Sequence, residues 1–507
     1  MKYITTIGLE IHAELRTQTK MFCDCLNAEE MHPNINVCPI CLAHPGTLPT
    51  PNEKAIMHVL RVGVALGGEL ASVTKFDRKN YFYPDIPKGY QISQYDRPLV
   101  KNAKLECYVG GEKKSFAVHR IHLEEDTGRL LHSDPSTGSA GSPQASSGQA
   151  ITKVDYNRAG VPLMELVTEP VLHTPEEAEA FASNLQLILR YLGVSYANMD
   201  KGQMRIEVNI SIRKEGEEKL GTKVEIKNLN SFRSVGDSIR YEVERHEDLL
   251  KKGKKIVQET RGWDENKRIT FSQRKKESAH DYRYFPEPDI APLVVGDHAL
   301  GEDVLKEISI KDIVTSLPEM PIARFERLAK EYDLDFKDAE LLVQQKEVAE
   351  FFEKSVSEAQ ELDHSIDAKK IAKLLHNFLV SDLYGFLEGD IIEWGALKIT
   401  PENFGHLVVL FARGEISSRV AKDVLREMFE TGAECQVIIE EKGLKQVSDE
   451  GVLETVAKEI IAEFPDAVVD YKKGKEASLQ FLVGQFMKKT KGAANPELAK
   501  EILKKNL

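Results

Sequence analysis

Strict alternation of polar and apolar residues near the N-terminus predicts a β-strand over residues 6–15. Gly8, Glu10, His12 and Glu14 occupy one face, and the residues between them are apolar. Successive residues on one face of a strand lie about 7 Å apart, so two carboxylates and an imidazole form a row. Such a row can bind a divalent metal or transfer protons, or it can be the wetted face of a half-buried strand.

Two later segments show the same alternation. Residues 204–212 place Arg205 and Glu207 on a polar face opposite isoleucine and valine, and residues 223–232 predict a second strand that carries Lys227. Shorter β-like runs, separated by proline and glycine turns, fill the first part of the chain. These segments predict a sheet-rich N-terminal region.

Apolar residues at helical spacing predict helices in both halves of the chain. Helices at 53–66, 175–192 and 235–251 interrupt the strands, and Thr174 and Gly193 are the predicted start and stop signals of the second. The C-terminal part of the chain is helical throughout. The helices predicted there span 302–315, 320–332, 337–360, 367–387, 401–411, 417–431, 452–464, 476–489 and 496–505.

The two patterns together predict an α+β fold. A chain of 507 residues is too long for one ordinary hydrophobic core, since domains usually hold roughly 100–200 residues. We place a β-rich domain at 1–293, an all-helical domain at 294–399 and a small helical tail domain at 400–507. The segment 134–150 is rich in glycine, serine and proline, which predicts a mobile loop, with a functional lid as the alternative.

Composition excludes several classes of protein. No apolar run approaches the ~20 residues that a membrane span needs, and the N-terminus lacks the apolar core of a secretory signal, so we expect a cytoplasmic protein. The net charge of −13 argues against a protein coated in nucleic acid, although it leaves room for a local basic patch.

Four of the six cysteines lie in two close pairs, Cys23 with Cys25 and Cys38 with Cys41. Two pairs of thiolates at this spacing suit tetrahedral Zn²⁺, and four thiolates leave no open position for a substrate. We therefore predict a structural zinc-binding insertion near 23–41, with free structural cysteines as the alternative.

Carboxylates cluster in two further motifs. In the strand-like segment 120–126, Glu124 and Glu125 point to opposite faces unless a bulge or the strand end presents them together. Adjacent carboxylates repel one another, and a bound cation would stabilise them. The alternative is that the segment is an exposed loop. In the segment 155–170, a turn is followed by Glu165 in apolar surroundings, where a carboxylate is costly unless it meets a metal or a base. The alternative is a structural turn in which a salt bridge neutralises the carboxylate.

Residues 76–91 and 280–289 interleave bases, acids and aromatic side chains. This mixture suits a nucleotide or an aminoacyl-adenosine end, through stacking and phosphate pairing, or a packed domain junction. The sequence contains no GxxxxGK[ST] loop, no dinucleotide GxGxxG after a strand, no GxSxG and no HExxH. If the protein uses ATP, it does so without a P-loop.

The motifs, taken in order, resemble one family: the B subunits of the aspartyl/glutamyl-tRNA(Asn/Gln) amidotransferases. The matching segments are IGLEIHAEL, the two cysteine pairs, FDRKNYFYPDIPKGYQISQYD, RIHLEEDTG, DYNRAGVPLMELVTEP, MRIEVNIS, KVEIKNLNSF, QETRGWD, HDYRYFPEPD, LPEMP and KGAANPELAKEIL. No single short motif is decisive, but an ordered series of this length is highly specific.

The resemblance implies a C–N bond-forming ligase that uses glutamine as its nitrogen donor. Members of this family bind misacylated Glu-tRNA(Gln) or Asp-tRNA(Asn) and use ATP with Mg²⁺ to phosphorylate the side-chain carboxylate. Ammonia released by an amidase-type partner, in a complex that includes a small third protein, then displaces the phosphate. The family fold is a β-rich cradle that holds this site, followed by a helical domain and a helical tail that contacts tRNA.

The resemblance also implies roles for individual residues of this chain. The implied catalytic residues are Glu10, His12, Glu124 and Glu125. The implied Mg²⁺ ligands are Glu10, His12, Glu125, Glu165 and Glu207, and the zinc ligands are the four paired cysteines. Candidates for binding phosphate or the substrate carboxylate are Lys79, Lys88, Arg158, Arg205 and Lys227.

The chain departs from the family pattern in two places. Position 207 usually carries aspartate, and Glu207 is one methylene longer, which puts direct coordination there in question; the 134–150 segment is also longer than usual. Basic residues of the tail either bind the tRNA backbone or are solvated helix ends, namely Lys472, Lys473, Lys475, Lys488, Lys489 and Lys491.

Two other functions fit the residues. One is a non-catalytic, zinc-stabilised tRNA-binding protein, in which the acids only support the fold. The other is a metal-dependent hydrolase in which His12 and the acids activate water. A requirement for ATP separates the amidotransferase from the hydrolase. The sequence leaves open whether Glu-tRNA, Asp-tRNA or both are substrates.

Overall fold

A computed structural model of the chain describes residues 2–30, 32–133, 151–275, 282–295, 309–386, 394, 397–444, 450–490, 494 and 496–507. The loop predicted at 134–150 lies outside these residues, as do His280, Asp281 and Lys491. The chain divides into two compact units, Met1–Ile322 and Ala323–Leu507. The first contains the sheets and the second is helical, which confirms the predicted α+β class.

The strands all lie in the first unit. They are β1 Tyr3–Glu14, β2 Glu69–Leu70, β3 Val73–Thr74, β4 Asp77–Asn80, β5 Tyr90–Ser93, β6 Val100–Val109, β7 Glu112–Glu125, β8 Arg129–Ser133, β9 Ile151–Asp155, β10 Pro162–Thr168, β11 Met204–Lys214, β12 Val224–Leu229, β13 Glu259–Asp264, β14 Ile269–Lys275, β15 Phe285–Pro286 and β16 Leu293–Val294. The helices between them are α1 Glu53–Ala65, α2 Pro175–Tyr191, α3 Phe232–Lys251 and α4 Ile310–Thr315.

The other helices lie in the C-terminal part of the chain. They are α5 Pro321–Tyr332, α6 Phe336–Val343, α7 Lys346–Leu362, α8 Ala368–Asn377, α9 Tyr384–Phe386, α10 Pro401–Ala412, α11 Ser418–Thr431, α12 Cys435–Glu441, α13 Glu450–Glu463, α14 Pro465–Lys472, α15 Glu476–Lys489 and α16 Pro496–Asn506, with a π-helical turn, Phe378–Leu383, between α8 and α9. No described helix has the length and apolar character that crossing a membrane requires.

The predicted helix 337–360 is wrong, because two helices occupy this stretch. Gln345 is extended (φ −134°, ψ 132°) and separates α6 from α7. Its side chain accepts a hydrogen bond from Trp394 Nε1 at 3.0 Å. The break carries no glycine or proline signal, and α12 and α14 were also not predicted. The domain boundaries at 293 and 399 stay predictions.

Strand β1 lies at the centre of a nine-stranded sheet with the order β14-β13-β12-β11-β1-β10-β7-β6-β2. Both of its neighbours, β10 and β11, are antiparallel to it. Helices α1, α2 and α3 pack on the apolar face of this sheet, where Leu9 and Ile11 of β1 are buried in the same hydrophobic core as α2 residue Phe181. The opposite face therefore remains for polar side chains.

The helix caps match their sequence signals. Thr174 forms a capping box with Glu177 at the start of α2, as predicted. Ser231 caps α3 through the Ser234 amide, so this helix begins at Phe232, earlier than the predicted 235. In the helical unit, a separate hydrophobic cluster runs from Leu453 to Leu503.

Candidate active site

A row of charged side chains crosses five adjacent strands on the polar face of the large sheet. The strand register produces it, because His12 of β1 lies opposite Glu165 of β10, and Glu165 in turn lies opposite His122 of β7. On the other side of β1, Glu10 lies opposite Glu207 of β11. We call this set the polar row; its members are Glu10, His12, His122, Glu124, Glu165, Glu207, Glu225 and Lys227.

Glu165 lies at the middle of the polar row, between two histidines. His12 Nε2 is 3.3 Å and His122 Nε2 is 3.5 Å from Glu165 Oε2. His12 Nε2 also lies 3.9 Å from Glu10 Oε1, and His122 Nε2 lies 3.6 Å from Glu124 Oε1. The Glu165 side chain is 4% exposed, so its charge must be met by these neighbours rather than by water.

Three groups in the polar row have ligand atoms within 4.8 Å of one another, close enough to hold a cation. Two of them share Glu165, and two share Glu10. The groups are Glu10 with His12 and Glu165, His122 with Glu124 and Glu165, and Glu10 with Glu207 and Glu225. Sets rich in carboxylate oxygens suit Mg²⁺, and imidazole widens the choice to transition metals. The residues therefore fit a divalent cation.

Several carboxylates lie close together in the polar row, and this shifts the pKa values of its members. Burial, followed by the charges of Glu165 and Glu207, raises the pKa of Glu10 to about 7. Burial alone would lower the pKa of His12, but its hydrogen bond to Glu165 and the charge of that carboxylate raise it to about 9. Within the described part of the chain, Nδ1 of the buried His122 has no hydrogen-bond partner. An added cation would relieve the repulsion between the carboxylates.

Lysines stand at both ends of the polar row. Lys79 Nζ, on β4, lies 3.2 Å from Glu124 Oε1, which also accepts from Ser93 Oγ at 2.6 Å. Burial alone would raise the pKa of Glu124, but the charges of Lys79 and His122 hold it well below its usual range. At the other end, Lys227 Nζ donates to Glu207 Oε1 at 2.8 Å. Each end of the polar row therefore carries an ammonium group bonded to one of its carboxylates.

Arg158 and Arg205 converge on Asp126 rather than on the polar row itself. Arg158 Nη2 lies 2.6 Å and Arg205 Nη2 lies 2.8 Å from Asp126 Oδ2. Arg158 Nε also donates to Glu14 Oε1 at 2.8 Å. Burial would raise the pKa of Asp126, but the two guanidinium groups lower it to about 2. Glu14, unassigned by sequence, is thus part of an ion-pair network beside the row.

Glu125 is separated from the polar row, although it follows Glu124 directly. It pairs with Lys88 Nζ, and its Oε1 accepts from the Ile92 amide at 2.8 Å. With Lys88 it lines a cavity of about 250 Å³ beside the cysteine loop. No described group of three metal-binding side chains includes Glu125. The strand end therefore does not bring Glu125 together with Glu10 and His12.

The four paired cysteines form one cluster. Their sulfur atoms all lie within 4.8 Å of one another, as a tetrahedral zinc site requires. Cys41 Sγ accepts the Cys38 amide at 3.1 Å and lies 3.9 Å from Nζ of the buried Lys20. The hydrogen bond from Cys23, together with the backbone of Cys38, lowers the pKa of Cys41 to about 5, although burial opposes this. These residues fit Zn²⁺.

The cysteine loop is fastened to the turn that leads into β10. Lys20 Nζ donates to the Tyr156 carbonyl at 3.2 Å, and the Met21 amide donates to the Gly160 carbonyl at 2.7 Å. Gly160 has φ +86°, a backbone conformation in which a residue with a side chain would be strained. A Cβ there would lie in ordinary contact with Lys20, at 3.5 Å, and with Cys41, at 3.6 Å. This turn carries Arg158 and leads into β10, which carries Glu165. By holding the turn, the cysteine loop helps to fix the start of that strand.

We predict that the cysteine cluster holds about one zinc ion per chain, and that its removal loosens this loop. Chelation with 1,10-phenanthroline should release zinc, measurable with a metallochromic dye. Hydrogen exchange should then rise in residues 20–50 and in the turn 156–160 because their shared support is lost. A Cys107→Ala control should keep its zinc. Unchanged exchange after zinc is stripped would contradict the structural role.

Five of the six tail lysines, all except Lys491, are among the described residues and are exposed, and two of these five form ion pairs. Lys489 Nζ lies 3.0 Å from Glu459 and 3.2 Å from Glu463, and Lys475 Nζ lies 2.9 Å from Asp470. Exposed pairs of this kind are weak and can exchange for a phosphate. The proposed tRNA contact of the tail stays a prediction.

Sequence reasoning missed two residues of the polar row, His122 and Glu225. The signal was present for both, because strand alternation puts His122 on the face of Glu124 and Glu225 on the face of Lys227. Only the strand neighbours, which alternation does not specify, reveal that these faces belong to one site.

Two family models match the chain. The model described as the GatB/GatE catalytic domain matches residues 5–301, and the model described as the GatB domain matches residues 350–507. The first match contains the whole polar row and the cysteine cluster.

Three relatives similar over their full length are each named as the B subunit of an aspartyl/glutamyl-tRNA(Asn/Gln) amidotransferase. The relative from Thermoanaerobacter pseudethanolicus is 46% identical over 507 residues, which is 100% of both chains. The relative from Persephonella marina is 45% identical over 100% of both chains. The relative from Brevibacillus brevis is 43% identical over 100% of this chain and 99% of its own.

Proposed function

The chain belongs to the GatB/GatE family, and we propose that it is the part of a cytoplasmic tRNA amidotransferase that activates the side-chain carboxylate of a misacylated Glu-tRNA(Gln) or Asp-tRNA(Asn). The observation that carries this proposal is the polar row, in which carboxylates and imidazoles converge between Lys79 and Lys227. Such a site suits a reaction between two anions.

In the first step, an oxygen of the substrate carboxylate attacks the γ-phosphorus of ATP. The bond between that phosphorus and the bridging oxygen of ADP breaks, which yields an acyl phosphate and ADP. In the second step, ammonia attacks the carbonyl carbon and inorganic phosphate leaves, so an amide forms and the nitrogen loses a proton. The products are Gln-tRNA(Gln) or Asn-tRNA(Asn), ADP and phosphate.

Repulsion between carboxylate and triphosphate is the main barrier to the first step. We assign the binding of Mg²⁺ to Glu10, His12 and Glu165, and of a second cation to His122 and Glu124 with Glu165 shared. Bound Mg²⁺ would neutralise phosphate charge as the phosphoryl group is transferred. Glu207 is an alternative partner for Glu10, because its longer side chain reaches within the same ligand distance.

Lysine and arginine side chains neutralise the remaining negative charge of the substrates. Lys79 and Lys227, at the ends of the polar row, bind phosphate oxygens or the substrate carboxylate through their ammonium groups. Arg158 and Arg205 act indirectly, because Asp126 binds both of them. We assign them the positioning of Glu14 and Asp126 beside the polar row.

The second step needs a source of ammonia. We propose an amidase-type protein as its source, in a three-protein complex completed by a small third member. Zinc has a structural role in this scheme, and the helical unit contacts tRNA.

The ATP requirement tests the proposal. We expect the purified three-protein complex to convert Glu-tRNA(Gln) only when ATP, Mg²⁺ and either glutamine or ammonia are present. Product is measured by nuclease release of the aminoacyl-adenosine and chromatography. Amidation or ester hydrolysis without ATP would favour the metal-dependent hydrolase instead, and binding of tRNA without turnover would favour the non-catalytic protein.

A further inference from the structure

The two aromatic segments that the sequence separates by about two hundred positions lie side by side in the structure. Strand β4 pairs with β15, with Arg78 opposite Phe285. The Asn80 amide donates to the Tyr282 carbonyl at 2.9 Å, and Asn80 Nδ2 donates to the Arg283 carbonyl at 2.8 Å. The rings that follow β4 therefore meet the rings that precede β15.

Five tyrosine rings form a continuous surface there. Tyr95 stacks on Tyr284, with centroids 4.2 Å apart and planes at 13°, and Tyr81 stacks on Tyr83 at 5.9 Å and 14°. Tyr282 joins the two stacks edge-on, at 6.2 Å from Tyr81 and 6.0 Å from Tyr284. We call these five rings, with Phe82 beside them, the aromatic surface.

The aromatic surface is unusually open for such apolar groups. Phe82 is 76% exposed, Tyr95 61% and Tyr83 50%. The Phe82 ring packs over Gly89, where an added Cβ would lie only 3.1 Å from it, and the Arg283 guanidinium lies 6.0 Å from the centre of the same ring. Large exposed aromatic patches mark binding sites, because leaving them in water is costly.

One lysine connects the aromatic surface to the polar row. Lys79 Nζ lies 3.2 Å from Glu124 Oε1 and 5.5 Å from the centre of the Tyr282 ring. The ammonium group of Lys79 therefore contacts both the polar row and the aromatic surface. A ligand stacked on Tyr282 has its attached groups directly beside the carboxylates.

We propose that the aromatic surface stacks the unpaired 3′-terminal bases of the aminoacylated RNA and so delivers the esterified amino acid to the polar row. This inference rests on the proposed function. Single-stranded bases are bound by stacking on aromatic side chains, with cations nearby for the phosphates. Lys79 and Arg283 supply positive charge beside the rings.

The openness of the surface favours the RNA end over the adenine of ATP. Small-molecule sites bury roughly 70–90% of their ligand in a concave pocket. The aromatic surface instead presents one exposed ring in each of its two stacks, Tyr83 and Tyr95, with the exposed Phe82 beside them, which suits several successive bases arriving from solvent as part of a larger molecule. In this arrangement the bound RNA is oriented with its aminoacylated 3′ end toward Lys79.

The test uses the three-protein complex with two exposed rings altered singly, Phe82→Ala and Tyr95→Ala. Removing one stacking ring should raise the KM for Glu-tRNA(Gln) at least roughly fivefold. The KM for ATP and the rate at saturating tRNA should stay unchanged. The conservative variants Phe82→Tyr and Tyr95→Phe should restore wild-type KM, and Phe271→Ala, which removes an exposed ring of β14, is the matched control.

A direct binding readout separates this inference from the proposed function. A tRNA whose terminal adenine is replaced by 2-aminopurine should lose fluorescence on binding, because stacking quenches the base, and the alanine variants should abolish this quenching. If wild-type protein quenches the probe but no ATP-dependent amidation is found, the surface stands and the proposed function fails.

Three results would overturn the inference. One is a raised KM for ATP with an unchanged KM for tRNA, which would assign the rings to the adenine of ATP. Another is failure of the alanine variants to form the complex in gel filtration, which would assign the rings to a partner protein. The third is equal quenching by wild type and both alanine variants.

Discussion

Glu165→Gln is expected to reduce tRNA amidation roughly 10²–10³-fold, the range seen when one electrostatic group of an active site is lost. Glu165 lies between His12 and His122 and belongs to two of the three metal-binding groups. Glutamine keeps the shape of the side chain but removes the charge that both cation sites share. The loss should therefore appear mainly in the rate at saturating substrates, and in a raised requirement for Mg²⁺.

The assay has an internal control, because the partner's release of ammonia from glutamine is measured separately and should survive. Glu169→Gln provides the matched variant: it lies shortly after β10, its side chain is 44% exposed, and it contacts His119 rather than the polar row. We expect this control to work at the wild-type rate. Wild-type amidation by Glu165→Gln, at every Mg²⁺ concentration, would remove Glu165 from the site.

Glu242→Ala is expected to lower the free energy of unfolding of the first unit by about 3–5 kcal/mol, the cost of leaving buried charges without their partner. Glu242 lies on α3 and is fully buried. Its carboxylate accepts from Arg245 Nη2 at 2.7 Å, lies 3.2 Å from Arg261 Nε on β13, and accepts from Thr270 on β14. Alanine would remove the carboxylate that Arg245 and Arg261 share, leave Glu259 to meet both guanidinium groups, and cut a link between the helix and the edge of the sheet.

Acid should remove the stabilisation that this carboxylate provides in the wild-type protein, because it protonates Glu242. Burial alone would raise the pKa of Glu242, but hydrogen bonds from His246 and Arg245 lower it to about 2. Because this lies below the value of about 4.3 for an unfolded glutamate, the unfolded state binds more protons between these values. The stabilisation is thus present above a pH of about 4.3 and is lost as pH falls toward 2.

Urea unfolding of the full chain, followed between pH 5 and 3, checks both statements. Wild type should lose stability with acid more steeply than Glu242→Gln, which cannot titrate at this position. Glu247→Ala, on the same helix but paired, among the described residues, with the exposed Lys251, should keep the wild-type midpoint. Equal midpoints for Glu242→Ala and wild type would show that the buried network contributes nothing.

Local features of the molecule were readable from the sequence. The alternation at residues 6–15 correctly separated the buried face of β1 from its polar face, and Thr174 correctly marked the start of α2. The cysteine spacing correctly predicted that four sulfur atoms converge. Each of these depends on periodicity or on neighbours a few residues apart, which a sequence states directly.

The composition of the polar row was decided by tertiary structure. Alternation says which face a residue takes, but it says nothing of which strand lies beside it. The pairing of β1 with β10, and of β10 with β7, brought Glu165 and His122 to His12, whereas Glu125 turned to Lys88. A shift of one residue in either register would have reversed these faces.

The same division holds for the aromatic surface and for the break between α6 and α7. Residues 76–91 and 280–289 showed their composition in the sequence, but only the pairing of β4 with β15 joined their rings. Gln345 carried no signal of a helix end, and its contact with Trp394 accompanies the break. The sequence by itself determined faces, caps and ligand types; the long-range strand pairings determined which of them meet, because chain entropy and packing across the whole sheet select those pairings.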